Sequence, residues 1–284
     1  MKIYSRYQIV IFAALLLLVS ILTVAAHASS KETLIITGTG SSIATMQLMA
    51  KAFQKKYPDV TVQVPASIGT TGGIKAVNEN KIDIGLSYRP LKPEERSTNI
   101  TEQPYGRTAF IFGVQEANPV KGITLAEIKA IYAGKRKTWP DGAPIRPILR
   151  PVSDGMSEYL ASINPSLKSA SERAHSIPGV FVGNTDQEAA DHIENTPGSF
   201  GITSISLVIS EKRKIKALSI DGATPTLVNV SSGKYPYAMT LSLVYQRDKY
   251  RGAVKDFIEF VFSRDGQKLL SDNGHVTLQR IRGK

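Results

Sequence analysis

The chain has 284 residues, a formal net charge of +11, 42% hydrophobic residues and no cysteine. The lack of cysteine excludes disulfides, thiolate metal sites and cysteine nucleophiles, so a chain of this length must rest on a core large enough for one large domain or two lobes. A basic balance draws anions, anionic lipids or nucleic acid, but the basic residues are scattered apart from Lys212-Arg213-Lys214, which reads as a solvated turn.

Lys2 and Arg6 precede an almost unbroken apolar run over 9–24, and the small residues Ala26 and Ala28 follow. This is the pattern of a secretory signal peptide. An apolar core of roughly 15 residues is short of the ~20 that span a bilayer. Residues 1–28 are therefore expected to be cleaved, which removes Lys2 and Arg6 and leaves a charge of +9. The mature protein is expected to be periplasmic, and export argues against nucleic acid as a partner.

A β-branched run over 33–37 predicts a buried strand. A helix follows over 42–57, with Ile43, Met46, Met49, Ala50 and Phe53 at helical spacing and Pro58 beyond its end. A second strand is predicted over 60–64. Gly69-Thr70-Thr71-Gly72-Gly73 reads as a turn, 74–80 as a helix and 82–87 as a third strand. This βαβαβ rhythm implies a parallel sheet covered by helices. Further strands are expected over 110–114, 148–152, 201–205, 215–218 and 237–245. Further helices are expected over 125–132 (capped by Thr124), 156–163, 187–194 and 250–262, with a helical turn or two over 266–271. The stretch 133–147 around Trp139 reads as a long loop. Both halves share one α/β texture, so two similar lobes with a cleft between them is the expected architecture. Ligands in such sheets bind outside the C-terminal ends of the strands.

Three strand ends carry glycine and hydroxyl clusters: Gly38-Thr39-Gly40-Ser41-Ser42, Thr70-Thr71-Gly72-Gly73 and Ser87-Tyr88-Arg89. The first two sit between a strand and a helix, where unpaired N–H groups and the helix dipole attract anions. Hydroxyls add donors without charge, although Ser and Thr are also ordinary N-caps. Arg150 follows a strand and precedes Ser153-Asp154-Gly155. Its guanidinium suits an oxyanion through two parallel hydrogen bonds. Asp154 reads either as an N-cap, the favoured sense, or as the acceptor of a ligand proton. Asn184-Thr185-Asp186 reads chiefly as a helix cap, with ligand contact as the minor sense.

Enzyme readings find no support in the residues. No HExxH, GxSxG or Walker lysine occurs. His192 has no second histidine at metal spacing. Ser41 or Ser42 as a nucleophile lacks an identifiable base. Neither a cofactor nor a metal is expected.

Thr37-Gly38-Thr39-Gly40-Ser41-Ser42, Ile68-Gly69-Thr70-Thr71-Gly72-Gly73 and Asp83-Ile84-Gly85-Leu86-Ser87-Tyr88-Arg89-Pro90-Leu91 occur in order. Val120-Lys121-Gly122-Ile123-Thr124, Ile131-Tyr132-Ala133-Gly134-Lys135 with Trp139, and Thr196-Pro197-Gly198-Ser199-Phe200-Gly201-Ile202 follow. This resembles the phosphate-binding proteins of ATP-driven phosphate importers, across nearly the whole mature chain. The resemblance implies an α/β two-lobed periplasmic-binding-protein fold of type II that closes on a dehydrated oxyanion. It implies a signal peptide over 1–28, a first lobe over 29–113, a second over 114–236, and a return to the first over 237–284. Crossings would fall near 113–118 and 235–239. Carried over by position, ligand contacts fall on Ser42, with Ser41 and the Ile43 N–H beside it. They fall further on Thr70 and Thr71, on Ser87 with Tyr88 and Arg89, and on Arg150 with Ser153 and Asp154.

Two departures from the family pattern stand out. Tyr88 occupies the place of an aspartate that accepts the phosphate proton in many members, and Arg89 follows as an alternative anion ligand. The second-lobe loop reads Arg150-Pro151-Val152-Ser153-Asp154-Gly155-Met156, where the family usually has arginine, a short spacer, then Ser-Gly-Thr. The resulting expectation is a monomeric solute-binding protein for phosphate or a related tetrahedral oxyanion, working with a membrane ABC permease. The alternatives are a ligand sensor for a membrane receptor on the same fold, and an exported phosphoester hydrolase.

Overall fold

The structure, a computed structural model, describes residues 31–280. The leader expected over 1–28 lies outside the described residues. The chain opens with β1 (Glu32–Gly38), α1 (Gly40–Lys56), β2 (Val60–Gln63), α2 (Gly69–Asn78) and β3 (Ile84–Ser87). It continues with β4 (Ile100–Gln115), β5 (Gly122–Ile123), α3 (Leu125–Tyr132), β6 (Arg146–Leu149), α4 (Gly155–Ile163) and α5 (Pro165–Ala174). Next come β7 (Phe181–Val182), α6 (Asp186–Asn195), β8 (Ser199–Ser204), α7 (Ile205–Ser210), β9 (Ile215–Ala217), β10 (Ser219–Ile220) and α8 (Leu227–Ser232). The last elements are β11 (Ala238–Gln246), α9 (Gly252–Val261), α10 (Arg264–Asp272) and β12 (Val276–Thr277).

β1 pairs in parallel with β2 and β3, as the βαβαβ rhythm predicts. α1 buries Ile43, Met46, Met49, Ala50 and Phe53, the residues of one helical face. Phe53 stacks on Tyr57 and meets Phe257 and Phe260 edge-on, which ties α9 to the same core. The main sheet runs β2-β1-β3-β11-β4-β8-β6-β7, with β9 and β12 also paired to β4.

β4 is the spine of the molecule. Its partner is β11 through Ala109 and β8 from Phe110 onward. The sheet therefore has two halves that share one strand. The sequence predicts only 110–114 of these 16 residues as strand. Pro104 and Gly106 conceal the rest, because both usually interrupt strands. Here Leu241 lies opposite Gly106 and Ser242 opposite Pro104, which makes Tyr105 the extra residue of a bulge. The bulge turns the Tyr105 side chain inward, where its hydroxyl lies 2.8 Å from the Ser42 hydroxyl.

Several other elements differ from expectation: α7, α8 and the short strands β5, β7, β10 and β12 have no predicted counterpart, and β6 starts and ends earlier than 148–152. α2 begins at Gly69, so the glycine–threonine stretch read as a turn is the first helical turn. α5 lies in a stretch that the sequence leaves without an element. It buries Leu167, Ala170 and Ala174 but is otherwise polar, so its apolar period is thin. The available signal was the Asn164-Pro165 pair. Asn164 accepts the Ser166 N–H at 2.8 Å with Pro165 at the first helical position, a recurrent helix start.

Candidate functional site

A cavity of about 350 Å³ lies between the two halves of the sheet. Thr39, Ser67, Thr70, Thr71, Tyr88 and Arg89 line it from one half, and Arg150, Ser153, Asp154, Thr185 and Asp186 from the other. It sits beyond the C-terminal ends of β1, β3, β6 and β7, the usual ligand position in such sheets. Helices α1, α2, α4 and α6 all begin at its wall. Each brings first-turn N–H groups that lack intrahelical acceptors.

Arg150 follows β6 and is only 4% exposed. Its Nε and Nη2 donate to the Asp154 carboxylate at 3.2 and 2.9 Å, and Nη1 donates to the Gly183 carbonyl at 2.7 Å. Nη2 also lies 3.4 Å from Asp186 Oδ1. The Arg150 carbonyl accepts the Ser157 hydroxyl and lies 3.0 Å from His175 Nε2, which holds the backbone of the loop. Asp154 both pairs with Arg150 and caps α4 through the Met156 N–H at 3.0 Å. Burial raises its carboxyl above the ordinary range, Arg150 opposes the rise, and Asp186 adds to it.

Asp186 lies in the stretch that the sequence reads chiefly as a helix cap, and its part in the cavity exceeds that reading. Thr185 caps α6 by accepting the Glu188 N–H at 3.0 Å, the role the sequence suggests. Asp186 itself reaches across the cavity to the other half. Its Oδ2 accepts the Ser41 N–H at 2.9 Å and lies 3.5 Å from the Thr39 hydroxyl. Beside it, Gln187 donates to the Gly40 carbonyl at 3.1 Å. Thr39 precedes α1 without capping it through its own side chain, so Asp186 supplies the cap from a distant helix. Gly40 permits this approach, since a Cβ there would sit 2.6 Å from the Asp186 Cβ. No local signal marks Asp186, because an acid in a first helical turn is ordinary. Thr39 belongs to the first glycine–hydroxyl cluster, although the expected contacts fall on its neighbours, and Ser67 lies outside every cluster.

α2 has no side-chain cap at Ile68. Thr70 is buried and its hydroxyl accepts the Tyr88 N–H at 3.4 Å. Thr71 accepts from Arg89 Nη2 at 3.1 Å. The Arg89 fork donates to both Glu95 oxygens at 2.7 Å, and Glu158 lies 3.9 Å from its Nε. Arg89 therefore reaches the cavity with its charge already paired, and its hydrogen bonds hold the Glu95 carboxyl below the usual range. Tyr88 is buried at the cavity wall. Burial, and then the charges of Asp154 and Asp186, push its phenol well above its ordinary value, so it is a neutral hydroxyl there.

The remaining expected contacts lie behind the cavity wall. Ser42 is fully buried against Tyr105, and Ile43 belongs to the core. The helical period that identifies Met46, Met49 and Phe53 as core also puts Ser42 on that face, four residues before Met46. Ser41 is buried, its hydroxyl without a partner among the described residues, and its N–H is the group Asp186 holds. Ser87 closes a local turn, donating to the Arg89 carbonyl at 2.6 Å. The structure therefore gathers Thr70, Thr71, Tyr88, Arg89, Arg150, Ser153 and Asp154 around the cavity but not Ser41, Ser42, Ile43 or Ser87.

Gly155 begins α4 against the Tyr88 ring, and any side chain there would collide with the phenol hydroxyl. Gly155→Ala is expected to cost ~1–3 kcal/mol through overpacking, read as a lower urea midpoint. An unchanged midpoint would show that Tyr88 yields freely.

This geometry is that of a binding cleft between two α/β lobes, the two-lobed periplasmic-binding-protein fold of type II. The PBP superfamily domain matches residues 23–265, and the chain belongs to that superfamily. The phosphate-binding protein PstS of Bacillus subtilis is 29% identical over 253 residues, covering 86% of this chain and 80% of its own length. Protein SphX of Synechococcus elongatus is 27% identical over 277 residues, covering 88% and 79%. A Clostridium perfringens structure described as a phosphate ABC transporter substrate-binding protein with bound phosphate superposes with a TM-score of 0.75 at 25% identity, covering 87% of this chain and all of its own. An ABC-type phosphate transport receptor from Vibrio cholerae shares the fold, with a TM-score of 0.62 at 22% identity over 86% of this chain and 99% of its own. Within the superfamily the chain is PstS-like, and its relatives are binding proteins rather than enzymes. Among the described residues no three His, Asp or Glu side chains are grouped to hold a metal ion, and no helix is long and apolar enough to cross a membrane.

Proposed function

We propose that the protein is a periplasmic solute-binding protein that captures phosphate in the cleft and delivers it to an ABC permease. The observation that carries this reading is the buried Arg150 guanidinium sharing one cavity with the first turn of α2. First-turn N–H groups and a guanidinium are donors to an oxyanion, and the hydroxyls of Thr39, Thr70, Tyr88 and Ser153 add neutral ones. The names of the relatives support the same ligand. The leader over 1–28 would direct export and be removed. The lobes would be 29–113 with 237–284, and 114–236, closing about β4 and the start of β11. The protein would act as a monomer by binding and release, with no covalent step.

Thermal unfolding of the chain without residues 1–28 tests this. Phosphate at about a hundredfold excess over Kd should stabilise by ~2.7 kcal/mol and raise Tm by roughly 5–10 °C. Sulfate at equal concentration should do less. The absence of any shift with phosphate would remove the ligand assignment and leave the fold.

A further inference from the structure

We propose that Asp186 is an intramolecular anion that competes with the ligand for the start of α1. The inference rests on the phosphate reading of the cleft. Three observations lead to it. First, the Asp186 carboxylate takes the Ser41 N–H at 2.9 Å and lies near the Thr39 hydroxyl, which are the donors an oxyanion would use at that helix. Second, the same carboxylate lies 3.4 Å from Arg150, whose fork already holds Asp154. Arg150 therefore faces two carboxylates, and Arg89 is paired with Glu95, so the cavity offers an incoming anion no uncommitted guanidinium. Third, Asp186 and Gln187 belong to one half of the molecule and bond Ser41 and Gly40 in the other.

Asp186 thus does from within what a bound oxyanion does: it terminates α1 and joins the halves across the cleft. A ligand gains the Ser41 N–H and the nearer side of Arg150 only as Asp186 gives them up. The fraction of molecules ready to accept ligand falls accordingly, and apparent affinity falls with it. Removing this carboxylate should therefore tighten binding, whereas removing an ordinary ligand contact or helix cap should not.

The test compares wild type with Asp186→Asn, Asp186→Ala and Asp191→Asn by calorimetric titration with inorganic phosphate at neutral pH, after melting curves confirm folding. Asn keeps an acceptor for the Ser41 N–H without the charge. Asp191 lies on the same helix, is more than half exposed and pairs with Arg213, so its variant controls for general charge. Both Asp186 variants are expected to bind phosphate about 10- to 100-fold more tightly, as removal of a unit charge a few ångströms from a bound anion implies. The Asp191 variant should stay near wild type. Unchanged or weaker binding in both Asp186 variants overturns the inference while leaving the phosphate reading intact. Equal tightening in Asp191→Asn also overturns it, since general charge would then account for the gain. Silence of every protein toward phosphate, with normal melting curves, overturns the phosphate reading and this inference with it.

Discussion

Arg150→Ala is expected to weaken phosphate binding by about 100- to 1,000-fold, the range for deleting one partner of a buried, hydrogen-bonded charge contact. Arg150 is 4% exposed and bonds Asp154 and the Gly183 carbonyl while lying beside Asp186. Its loss removes the cavity's central cation and leaves two carboxylates facing each other. The second consequence is a stability loss of ~3 kcal/mol, as for other buried pairs broken from one side. Asp154 already has a raised carboxyl through burial, and Asp186 adds to the rise. Without Arg150 the opposing effect disappears. An acid whose folded-state pKa is raised destabilises the fold once it ionises, so the deficit should be small in acid and grow as pH rises through the raised value. Arg150→Lys keeps a charge but cannot hold a carboxylate through two parallel bonds and a carbonyl as well, so it should recover stability more than affinity. Titration calorimetry and urea unfolding at several pH values read the two effects apart. Wild-type affinity in Arg150→Ala would mean that phosphate binds elsewhere.

His275 is expected to make the fold acid-labile, with ~3 kcal/mol lost as pH falls from 6.5 toward about 4. It is fully buried where the chain returns beside β4. Nδ1 lies 3.1 Å from the Leu270 carbonyl, and Nε2 has no partner among the described residues. Burial depresses its value from 6.5 to about 4. A group that stays neutral in the fold but charges in the unfolded chain favours unfolding below its unfolded value. The stability is therefore complete above pH 6.5 and lost as pH falls to the folded value near 4. His275→Asn keeps a donor for Leu270 and removes the titration. Other carboxylates titrate in the same window, so the informative quantity is the difference between the two urea-stability profiles. Parallel profiles through this window would show that His275 takes its proton inside the fold.

Much of the first half of the molecule was legible from local pattern. The β-branched run over 33–37, the helical face from Ile43 to Phe53 and the strand ending at Ser87 each have a clean period. Tight βαβ connections then allow few arrangements. Arg150 and Asp154 were also legible, because a short arginine loop before a helix cap has a recognisable order. β4 was not, because its pairing with β11 tolerates Pro104 and Gly106 through a bulge at Tyr105. That tolerance depends on a partner strand more than 120 residues away. α5 was missed because a thin apolar face and a polar remainder give little periodic signal.

The sequence by itself determined the α/β class, the parallel start of the sheet and the cluster of helix starts with hydroxyls and arginines at strand ends. These depend on periodicity and turn chemistry within a few residues of one another, which one chain displays directly. Only the tertiary structure decided which of those residues share the cavity. It closed Ser87 into a turn and paired Arg89 with Glu95, whereas the burial of Ser42 follows from the helical phase that also buries Met46. It also brought Asp186 to the start of α1, 145 residues away in sequence. Hydrogen bonds between side chains and distant helix ends are set by how two lobes pack, and no local pattern encodes that distance.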